Sequence, residues 1–299
     1  MNLTDFKPTH LKSLASGLVD QVTYVPQLPT PGSDVLATKT FSQVGGALNL
    51  ESTACRLGLR AVHCTPIGNG PRADLIRAAM AMEGVEVEAV EDFSQGDAGL
   101  CITLVEPNGQ RSFVTQSGAE GIRSMQELSQ YKYSPDAWLV IYGYELVYPT
   151  SKQAFEELFK SGIIQSKIVF DPGPTTAQLS EEVLTWLGSN ATLISCNHSE
   201  YQKLAPFVSE DVWLLLRKGA AGAELHHQGK VLASDPGKKV PVVDTNGAGD
   251  VHTGAFLAAL SAGNGLQESL ELACRAAEFS IQQEGGCAGP TWQQLLSVR

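Results

Sequence analysis

Short apolar runs alternate along this chain with longer stretches that have helical spacing. Short apolar runs bounded by turn residues are typical of buried strands, and amphipathic stretches are typical of helices. The predicted strands span 63–67, 138–142, 167–170, 192–195 and 212–217, and the predicted helices span 48–57, 72–83, 150–161 and 266–283. This alternation predicts an α/β fold of three layers, in which helices cover both faces of a mainly parallel sheet.

Two segments, 17–40 and 96–115, break the alternation and have the pattern of antiparallel strands. The second contains a turn at Pro107-Asn108-Gly109 between two strand-like runs. The segments predict either a small β-sheet beside the main sheet or additional edge strands. Because the chain has no internal repeat and no linker rich in Pro, Gly or Ser, a single domain over residues 1–299 is expected.

Charge and composition narrow the class of protein. The 299 residues include 21 Lys and Arg against 32 Asp and Glu, which gives a net charge of −11. This balance argues against a nucleic-acid-binding protein, because such proteins usually present a basic surface to phosphates. The first residues lack the apolar run of a signal peptide, and all apolar runs are too short to span a membrane, so a cytoplasmic protein without a membrane partner is expected. The six cysteines are scattered without a Cys-x-x-Cys pair and are expected to be reduced.

The strongest local motif lies at residues 239–260. It predicts a strand that ends at Asp244, a Gly-rich turn, and an Ala-rich helix that starts near Gly247. Small residues at a helix start expose backbone N–H groups, which favour a bound anion such as phosphate. The motif lacks the Lys of a Walker A loop, but it has Asp250 in the first helical turn, where a carboxylate suits removal of a proton from a hydroxyl during phosphoryl transfer. On the residues alone, a helix-capping role for Asp250 is an equally good explanation.

The segment Asp244-Thr-Asn-Gly-Ala-Gly-Asp250 resembles the DTxGAGD signature of the ribokinase/PfkB family of carbohydrate and nucleoside kinases. Other segments resemble that family in the same order along the chain: Gly17-Leu-Val-Asp20 with Leu28-Pro-Thr-Pro-Gly32, Gly45-Gly46-Ala-Leu-Asn49, Asn197-His-Ser-Glu200 and Lys218-Gly219-Ala-Ala-Gly222. The resemblance covers essentially the whole chain and implies a ribokinase-like fold with a lid formed by segments 17–40 and 96–115. It implies an ATP-dependent sugar kinase, with a nucleoside kinase as the alternative within the family.

The resemblance also implies roles for individual residues. Asp250 would accept the proton of the substrate's hydroxymethyl group, and the N–H groups of Gly247, Ala248 and Gly249 would form an anion hole. The residues implied to bind the sugar are Asp20, Gly45, Gly46 and Asn49, and those implied to bind the nucleotide are Asn197, Glu200, Gly219, Thr245 and Cys274. Glu200 would hold Mg²⁺ through water. Family members often need a monovalent cation such as K⁺, for which loop 285–289 would supply carbonyls, and many form a homodimer through the lid.

Four features depart from the family pattern. Only two residues separate Gly46 from Asn49, one fewer than usual, so either the loop is one residue short or Val44 replaces the first Gly. The usual GxDxxG is replaced by Gly68-Asn-Gly-Pro-Arg-Ala73, His252 replaces a common aromatic residue, and Cys274 replaces an Asn near the adenine. These departures indicate a divergent subgroup that is similar to bacterial sugar-kinase-like proteins.

The residues favour a neutral sugar as substrate. A phosphorylated sugar usually needs Lys or Arg to pair with its second phosphate. Segments 17–29 and 44–49, which would contact the sugar, contain neither residue, and Arg111 in the lid is the obvious nearby candidate. A nucleoside is the alternative, because the aromatic rings of Tyr24 or Phe113 could stack on a base.

Two further hypotheses compete with a kinase. Residues 68–73 nearly match the dinucleotide-binding fingerprint, with Glu86 and Glu88 downstream, which would indicate an NAD-binding enzyme. Pro71 and the missing N-terminal βαβ unit argue against that hypothesis. A sugar- or nucleotide-binding protein without catalysis would keep the same fold, but the intact Asp250 argues against it.

Overall fold

The computed structural model describes residues 2–297 of the chain. Its strands are β1 (His10–Ser13), β2 (Gly17–Tyr24), β3 (Lys39–Gly46), β4 (Ala61–His63), β5 (Glu86–Val87), β6 (Leu100–Val105), β7 (Arg111–Gln116), β8 (Ala137–Tyr142), β9 (Lys167–Asp171), β10 (Leu193–Asn197), β11 (Trp213–Arg217), β12 (Ala223–His227) and β13 (Lys230–Asp235). Its helices are α1 (Ala47–Arg56), α2 (Pro71–Glu83), α3 (Met125–Leu128), α4 (Pro149–Ser161), α5 (Glu181–Asn190), α6 (His198–Leu204), α7 (Ala248–Ser261), α8 (Leu266–Ser280) and α9 (Trp292–Ser297). None of these helices is long and apolar enough to cross a membrane.

The main sheet contains nine strands in the order β13-β12-β11-β10-β9-β8-β1-β4-β5. The strands from β11 to β5 pair in parallel, and the hairpin of β12 and β13 adds two antiparallel strands at one edge. Strand β8 shows that both faces of the main sheet are buried. Trp138 and Val140 belong to the apolar core on one face, and Leu139 and Ile141 belong to the core on the other. Successive side chains of a strand point to opposite faces, so an unbroken apolar run needs cover on both sides.

Helices supply that cover and complete the three layers. The first core joins the sheet to α1, α7, α8 and α9 through side chains that include Leu50, Phe256, Leu270 and Leu295. The second core joins the opposite face to α3, α4, α5 and α6 through side chains that include Leu128, Phe155, Leu187 and Leu204. The predicted α/β fold with a mainly parallel sheet is therefore confirmed.

A smaller sheet of four strands has the order β3-β2-β6-β7. Its outer pairs, β2 with β3 and β6 with β7, are antiparallel, whereas β2 and β6 pair in parallel at the centre. Val19 of β2, Leu48 of α1 and Ile76 of α2 belong to a third apolar core, which joins this sheet to the rest of the chain. The predicted small sheet is therefore present, and the interpretation of its strands as edges of the main sheet is wrong.

Three details of the main sheet differ from the sequence-based expectations. Strand β1 lies between β8 and β4. The sequence does not predict this strand, because β1 includes polar residues such as Lys12. The side chain of Lys12 is buried, and its ammonium pairs with Glu88 at 2.5 Å. The strand predicted over 63–67 is β4, which ends at His63. No strand ends at Asp244; in the described chain, residues 236–247 form a loop that is tied to the end of α8 by hydrogen bonds to a backbone carbonyl.

Candidate active site

Helix α7 begins at Ala248, directly after Gly247, as the Gly-rich motif predicts. Gly247 has a φ of +69°, in the left-handed region that favours glycine, and a Cβ at this position would lie 2.5 Å from the carbonyl oxygen of Gly286. The turn therefore needs a residue without a side chain. The first N–H groups of a helix have no partner within it, so this end of α7 presents hydrogen-bond donors and the positive end of the helix dipole to an anion.

Asp250 lies in the first turn of α7 and is held by two other elements. Its Oδ1 accepts a hydrogen bond from the hydroxyl of Tyr142 at the end of β8 (2.8 Å), and its Oδ2 accepts one from Nδ2 of Asn49 in α1 (3.0 Å). The short spacing between Gly46 and Asn49 thus still brings Asn49 to Asp250. Burial and, to a smaller extent, the charge of Asp171 raise the pKa of Asp250 to about 6, against the effect of the two hydrogen bonds. The carboxyl group is therefore oriented and has a proton affinity suited to a general base near neutral pH.

A cavity of about 560 Å³ opens in front of Asp250, and we call it the Asp250 cavity. Of the residues predicted to bind a sugar, Asp20, Gly46 and Asn49 line this cavity and Gly45 does not. Gly45 instead makes room for Asp20, because a Cβ at position 45 would lie 2.5 Å from Oδ2 of Asp20. Polar and aromatic side chains form much of the remaining wall, among them Ser16, Phe113, Thr115, Tyr144, Glu145 and Tyr148.

Asp20 of β2 is largely buried in the wall of the Asp250 cavity. Burial raises the pKa of Asp20 to about 6, although hydrogen bonds from the side chains of Asn246 and Gln43 favour its ionised form. Asn246 occupies the variable position of the Asp244–Asp250 signature and also lines the cavity. Sequence reasoning missed Asn246, because a variable position carries no signal of its own.

A second cavity of about 640 Å³ is lined in part by α8, and we call it the α8 cavity. Asn197, Gly219, Thr245 and Cys274, all predicted to bind the nucleotide, line this cavity, whereas Glu200 lines the Asp250 cavity. The α8 cavity also contains apolar and basic residues that sequence reasoning missed: Val240, Val242, Ala277, Ile281, Lys238 and Lys239. The first residues of α7 line both cavities, so the two cavities meet at the N-terminus of that helix.

Arg217, at the end of β11, is a further candidate that sequence reasoning missed. Its Nη1 donates hydrogen bonds to Oδ2 of Asp171 (2.8 Å) and to the carbonyl oxygen of Gly249 in α7 (3.2 Å), and its Nη2 lies 3.6 Å from Oε2 of Glu200. Burial would lower the pKa of Arg217, but Asp171 and Glu200 outweigh burial and raise this pKa above its usual range. The sequence signal for Arg217 was its position directly after the apolar run 213–216. A charged residue next to a buried strand needs a partner of opposite charge.

Asn197 and Glu200 form a capping box at the start of α6. Asn197 Oδ1 accepts from the backbone N–H of Glu200 (2.9 Å), and Glu200 Oε2 accepts from the backbone N–H of Asn197 (2.8 Å). Within residues 2–297, no group of three His, Cys, Asp or Glu side chains is arranged to hold a metal ion. A Mg²⁺ ion held through water needs fewer protein ligands than a directly ligated ion, so the carboxylate of Glu200 fits the predicted role.

An ion pair connects the small sheet to the signature segment. Arg111 of β7 pairs through Nη2 with Oδ1 of Asp244, and the same carboxylate accepts hydrogen bonds from the backbone N–H groups of Asn246 (2.7 Å) and Gly285 (3.2 Å). Burial would raise the pKa of Asp244, but the Asn246 N–H and the Arg111 guanidinium outweigh it and lower this pKa. Arg111 is the candidate cation for a second phosphate, but it does not line the Asp250 cavity. Its guanidinium is, moreover, already paired with Asp244.

His252 and Cys274 lie next to each other in the wall of the α8 cavity, with 3.5 Å between Nε2 of His252 and Sγ of Cys274. Burial, with a smaller effect of the Arg217 charge, lowers the pKa of His252 to about 3. The imidazole is therefore neutral at pH 7. These two departures from the family pattern thus alter the same part of the cavity wall and add no charge to it.

The dinucleotide-like residues 68–73 lead into α2, but the start of this helix already binds a carboxylate. Oδ2 of Asp97 accepts a hydrogen bond from the N–H of Arg72 (3.2 Å), and Oδ1 accepts one from the N–H of Ala73 (2.9 Å). A pyrophosphate would need the same N–H groups. This geometry contradicts the hypothesis of an NAD site at this turn.

Comparisons with known proteins match nearly the whole chain. Residues 10–293 match the model of the pfkB family carbohydrate kinase. The chain is 30% identical to the uncharacterized sugar kinase YegV of Escherichia coli over 299 aligned residues, which cover 95% of this chain and 92% of that protein. The match therefore extends over nearly the full length of both chains.

Two solved structures have the same fold. A ribokinase of Arabidopsis thaliana complexed with ribose and ATP superposes with a TM-score of 0.75 at 21% identity, over 97% of this chain and 98% of that one. A nucleoside kinase of Methanocaldococcus jannaschii superposes with a TM-score of 0.79 at 17% identity, over 97% and 98% of the two chains. The expected ribokinase-like fold is thus confirmed, and at these identities the likeness does not distinguish a sugar from a nucleoside.

Proposed function

Because the chain belongs to the pfkB family of carbohydrate kinases, and is thus a phosphotransferase with an alcohol as acceptor, we propose that it transfers the γ-phosphoryl group of ATP to a hydroxymethyl group of a small neutral sugar. The observation that carries this proposal is the meeting of the Asp250 cavity and the α8 cavity at the start of α7. Asp250 lines the Asp250 cavity and not the α8 cavity. A hydroxyl group bound there would lie beside both a general base and a phosphate at the helix terminus.

In the proposed reaction, Asp250 accepts the proton of the hydroxymethyl group while its oxygen attacks the γ-phosphorus. The new oxygen–phosphorus bond forms as the bond from the γ-phosphorus to the bridging oxygen breaks, and ADP leaves with that electron pair. The N–H groups of Gly247, Ala248 and Gly249 stabilise the charge on the phosphoryl oxygens. Tyr142 hydrogen-bonds Oδ1 of Asp250 and thereby keeps the carboxylate oriented during proton transfer.

The α8 cavity is the proposed ATP site. Val242 and Ile281 offer an apolar surface to a purine, and Lys238 and Lys239 supply positive charge. Mg²⁺ bound with ATP would neutralise phosphate charge, and Glu200 would hold it through water, with Asn197 as the partner that orients Glu200. Loop 285–289 remains the proposed source of carbonyls for K⁺, and its first N–H contacts Asp244 at 3.2 Å, beside the proposed anion hole.

The charges around the Asp250 cavity support a neutral acceptor. Of the described residues that line it, Arg217 is the one cation, and Arg217 is paired with Asp171 and Glu200. Arg111 is paired with Asp244. A second phosphate on the acceptor would therefore meet carboxylates without a free cation to balance its charge.

The proposal is tested by measuring ADP release with Mg-ATP and a panel of D-ribose, D-fructose, D-glucose, ribitol, adenosine and a phosphorylated sugar, in sodium and in potassium buffer. We expect turnover with at least one of the neutral sugars and none with the phosphorylated sugar. Turnover with the phosphorylated sugar alone would contradict the assignment of the acceptor. A rate that is equal in the two buffers would remove the role proposed for K⁺.

A nucleoside is the second candidate acceptor, because the aromatic side chains of Phe113, Tyr144 and Tyr148 line the Asp250 cavity and a base can stack on such rings. Turnover of adenosine in preference to every sugar in the panel would favour this candidate. A protein that binds sugar or nucleotide without catalysis would instead show a thermal shift with the panel but no ADP release, since bound ligands stabilise the folded state whether or not they react.

We also propose that the small sheet forms a homodimer contact. Ile102 of β6 and Val114 of β7 are directly paired and both are exposed, so they form an apolar patch on this sheet. A dimer that uses this patch would be converted to a monomer by Val114→Lys in light-scattering measurements. A mass that is the same for the variant and the wild type would contradict this contact.

A further inference from the structure

Three polar side chains in the wall of the Asp250 cavity have no role in the proposed phosphoryl transfer. They are Ser16, Glu145 and Tyr148, and each has a buried polar atom without a hydrogen-bond partner among residues 2–297: Ser16 Oγ, Glu145 Oε2 and Tyr148 OH. Ser16 is 4% exposed and Glu145 is 0% exposed. Buried polar atoms are almost always hydrogen-bonded, so these three atoms are suited to a partner that enters the cavity.

The backbone holds the carboxyl group of Glu145 in a defined position. Glu145 lies in a short 3₁₀ turn, 144–146, that follows β8, and Ser16 directly precedes β2. Oε1 of Glu145 accepts a hydrogen bond from the backbone N–H of Ser16 (2.7 Å), which leaves Oε2 unpaired. The unpaired carboxyl oxygen and the Ser16 hydroxyl therefore belong to two directly bonded residues.

No ion pair balances Glu145 within the described chain. Arg123 is the cation whose charge acts on it, but the guanidinium of Arg123 is engaged by Glu127 through two hydrogen bonds of 2.8 Å. Burial raises the pKa of Glu145 to about 7, and the hydroxyl and the backbone N–H of Ser16, which both lie beside the carboxyl group, oppose this rise. An anionic group of a ligand would find no cation here, whereas a hydroxyl both donates and accepts hydrogen bonds and can match a carboxyl and two further hydroxyls.

We propose that Ser16, Glu145 and Tyr148 form a subsite for the hydroxyl groups of a neutral polyhydroxylated acceptor other than the hydroxyl that is phosphorylated. This inference rests on the proposed function, since it concerns the acceptor whose proton Asp250 removes. Strand β8 connects the two parts of the site: Tyr142 at its end contacts Asp250 at 2.8 Å, and Glu145 follows in the next turn of the chain. The subsite therefore selects the acceptor, and Asp250 acts on it.

The test compares three variants with two matched controls. Ser16→Ala, Glu145→Gln and Tyr148→Phe each remove or alter one of the unpaired groups with little change in volume. Ser269→Ala is the control for Ser16, because Ser269 is also a fully buried serine whose Oγ has no partner in the described chain, but it lies in α8 and lines neither cavity. Tyr201→Phe in α6 is the control for Tyr148, since Tyr201 also lines neither cavity.

The readout is the KM of the acceptor with the highest turnover in the neutral-sugar panel, together with the KM of ATP. We expect each of the three variants to raise the acceptor KM about five- to tenfold, as loss of one hydrogen bond implies, and to leave the KM of ATP unchanged. Deoxy derivatives of the acceptor, each without one hydroxyl, identify the hydroxyl that each side chain binds. With the derivative that lacks this hydroxyl, the variant and the wild type should have the same KM. Wild-type acceptor KM values in all three variants, or the same rise with every derivative, would overturn the subsite.

Binding measurements separate failure of this inference from failure of the proposed function. If none of the panel is phosphorylated but a polyol raises the Tm of the wild type, loss of that shift in the three variants and not in the controls supports the subsite without the kinase assignment. If the wild type phosphorylates a sugar and the variants keep its KM and its shift, the subsite is overturned and the kinase assignment stands. If no polyol is phosphorylated or raises the Tm of the wild type, both are overturned.

Discussion

The Asp250 cavity and the α8 cavity share the start of α7 but carry opposite charge. Among the described residues, five carboxyl side chains and one cation line the Asp250 cavity, and the cation is already paired: Asp20, Glu145, Asp171, Glu200, Asp250 and Arg217. The α8 cavity is lined by one carboxyl side chain and three cations: Glu278, Arg217, Lys238 and Lys239. The net charge of −11 is therefore not spread evenly over the two sites.

The charge difference between the two cavities explains how one acidic chain can bind an anion. The anion is drawn to the side where backbone N–H groups, lysines and an apolar wall coincide, and a neutral hydroxyl compound is favoured on the side where carboxyl groups are buried. Substitutions in and near the two cavities, and a change of pH, test this division of charge.

Asp250→Asn should remove the base from the Asp250 cavity and leave the α8 cavity intact. We expect kcat to fall about 10²- to 10⁴-fold, because general base catalysis contributes about that much. The thermal shift produced by Mg-ATP should be the same as in the wild type. Asp211→Asn, an equivalent charge change at an exposed position, should keep the wild-type rate. A kcat near that of the wild type in Asp250→Asn would show that Asp250 is not the base.

Gly247→Ala should damage the shared end of α7. The φ of +69° disfavours a side chain, and the new Cβ would lie 2.5 Å from the carbonyl oxygen of Gly286, so the N–H donors must shift. Loss of one such donor should lower kcat about 10²- to 10³-fold. Gly265→Ala is the matched control, because Gly265 also directly precedes a helix but has a φ of −69° and no atom within 4 Å of the added Cβ. Equal kinetics of the two variants would contradict an anion hole at this turn.

The rate should depend on the ionisation of Asp250. Since the base must be deprotonated and its pKa is raised to about 6, kcat/KM should fall as the pH decreases below about 6, by about tenfold per pH unit. The charge of Arg217 lowers the pKa of Asp250, so Arg217→Met should move this acidic limb to higher pH, and Arg217→Lys should move it less. A limb at the same pH in all three proteins would mean that another group controls the rate.

Arg111→Gln should have the smallest effect, because Arg111 lines neither cavity and acts through Asp244. Loss of this hydrogen-bonded ion pair should change kcat/KM about two- to fivefold, since the N–H groups of Asn246 and Gly285 continue to hold the Asp244 carboxylate. Arg60→Gln, which breaks an exposed pair with Glu86, is the control and should not alter the kinetics. A loss of kcat as large as in Gly247→Ala would instead place Arg111 in the catalytic machinery.

The parts of the fold that sequence could predict are those determined by local pattern. The apolar run of β8 predicts a buried strand because its side chains alone require two covered faces, and the amphipathic α4 is predicted to within one residue at its start. Strand β1 could not be predicted in this way, since the ion pair that lets Lys12 be buried involves Glu88, far along the chain. The loop before α7 has apolar residues like a strand, but Val242 and Val243 are exposed and pair with no strand.

The candidate site divides in the same manner. The signature predicts the turn at Gly247 and the carboxylate of Asp250, because their spacing along the chain is itself the geometry. The unpaired groups of Ser16 and Glu145 meet through a hydrogen bond between residues 129 positions apart, and no local pattern reports such a contact. Arg217 gave only the weak signal of a cation beside an apolar run, and its partners Asp171 and Glu200 come from different elements.

The ion pair between Arg111 and Asp244 limits which single substitutions this chain tolerates. The two residues are 133 positions apart, yet each is the charge that makes the other acceptable in a partly buried place. A substitution of either one alone leaves an uncompensated charge where water is scarce, whereas a paired change can be tolerated. We therefore expect positions 111 and 244 to change together in proteins descended from this chain. Through this pair, evolution of the small sheet is coupled to evolution of the signature segment.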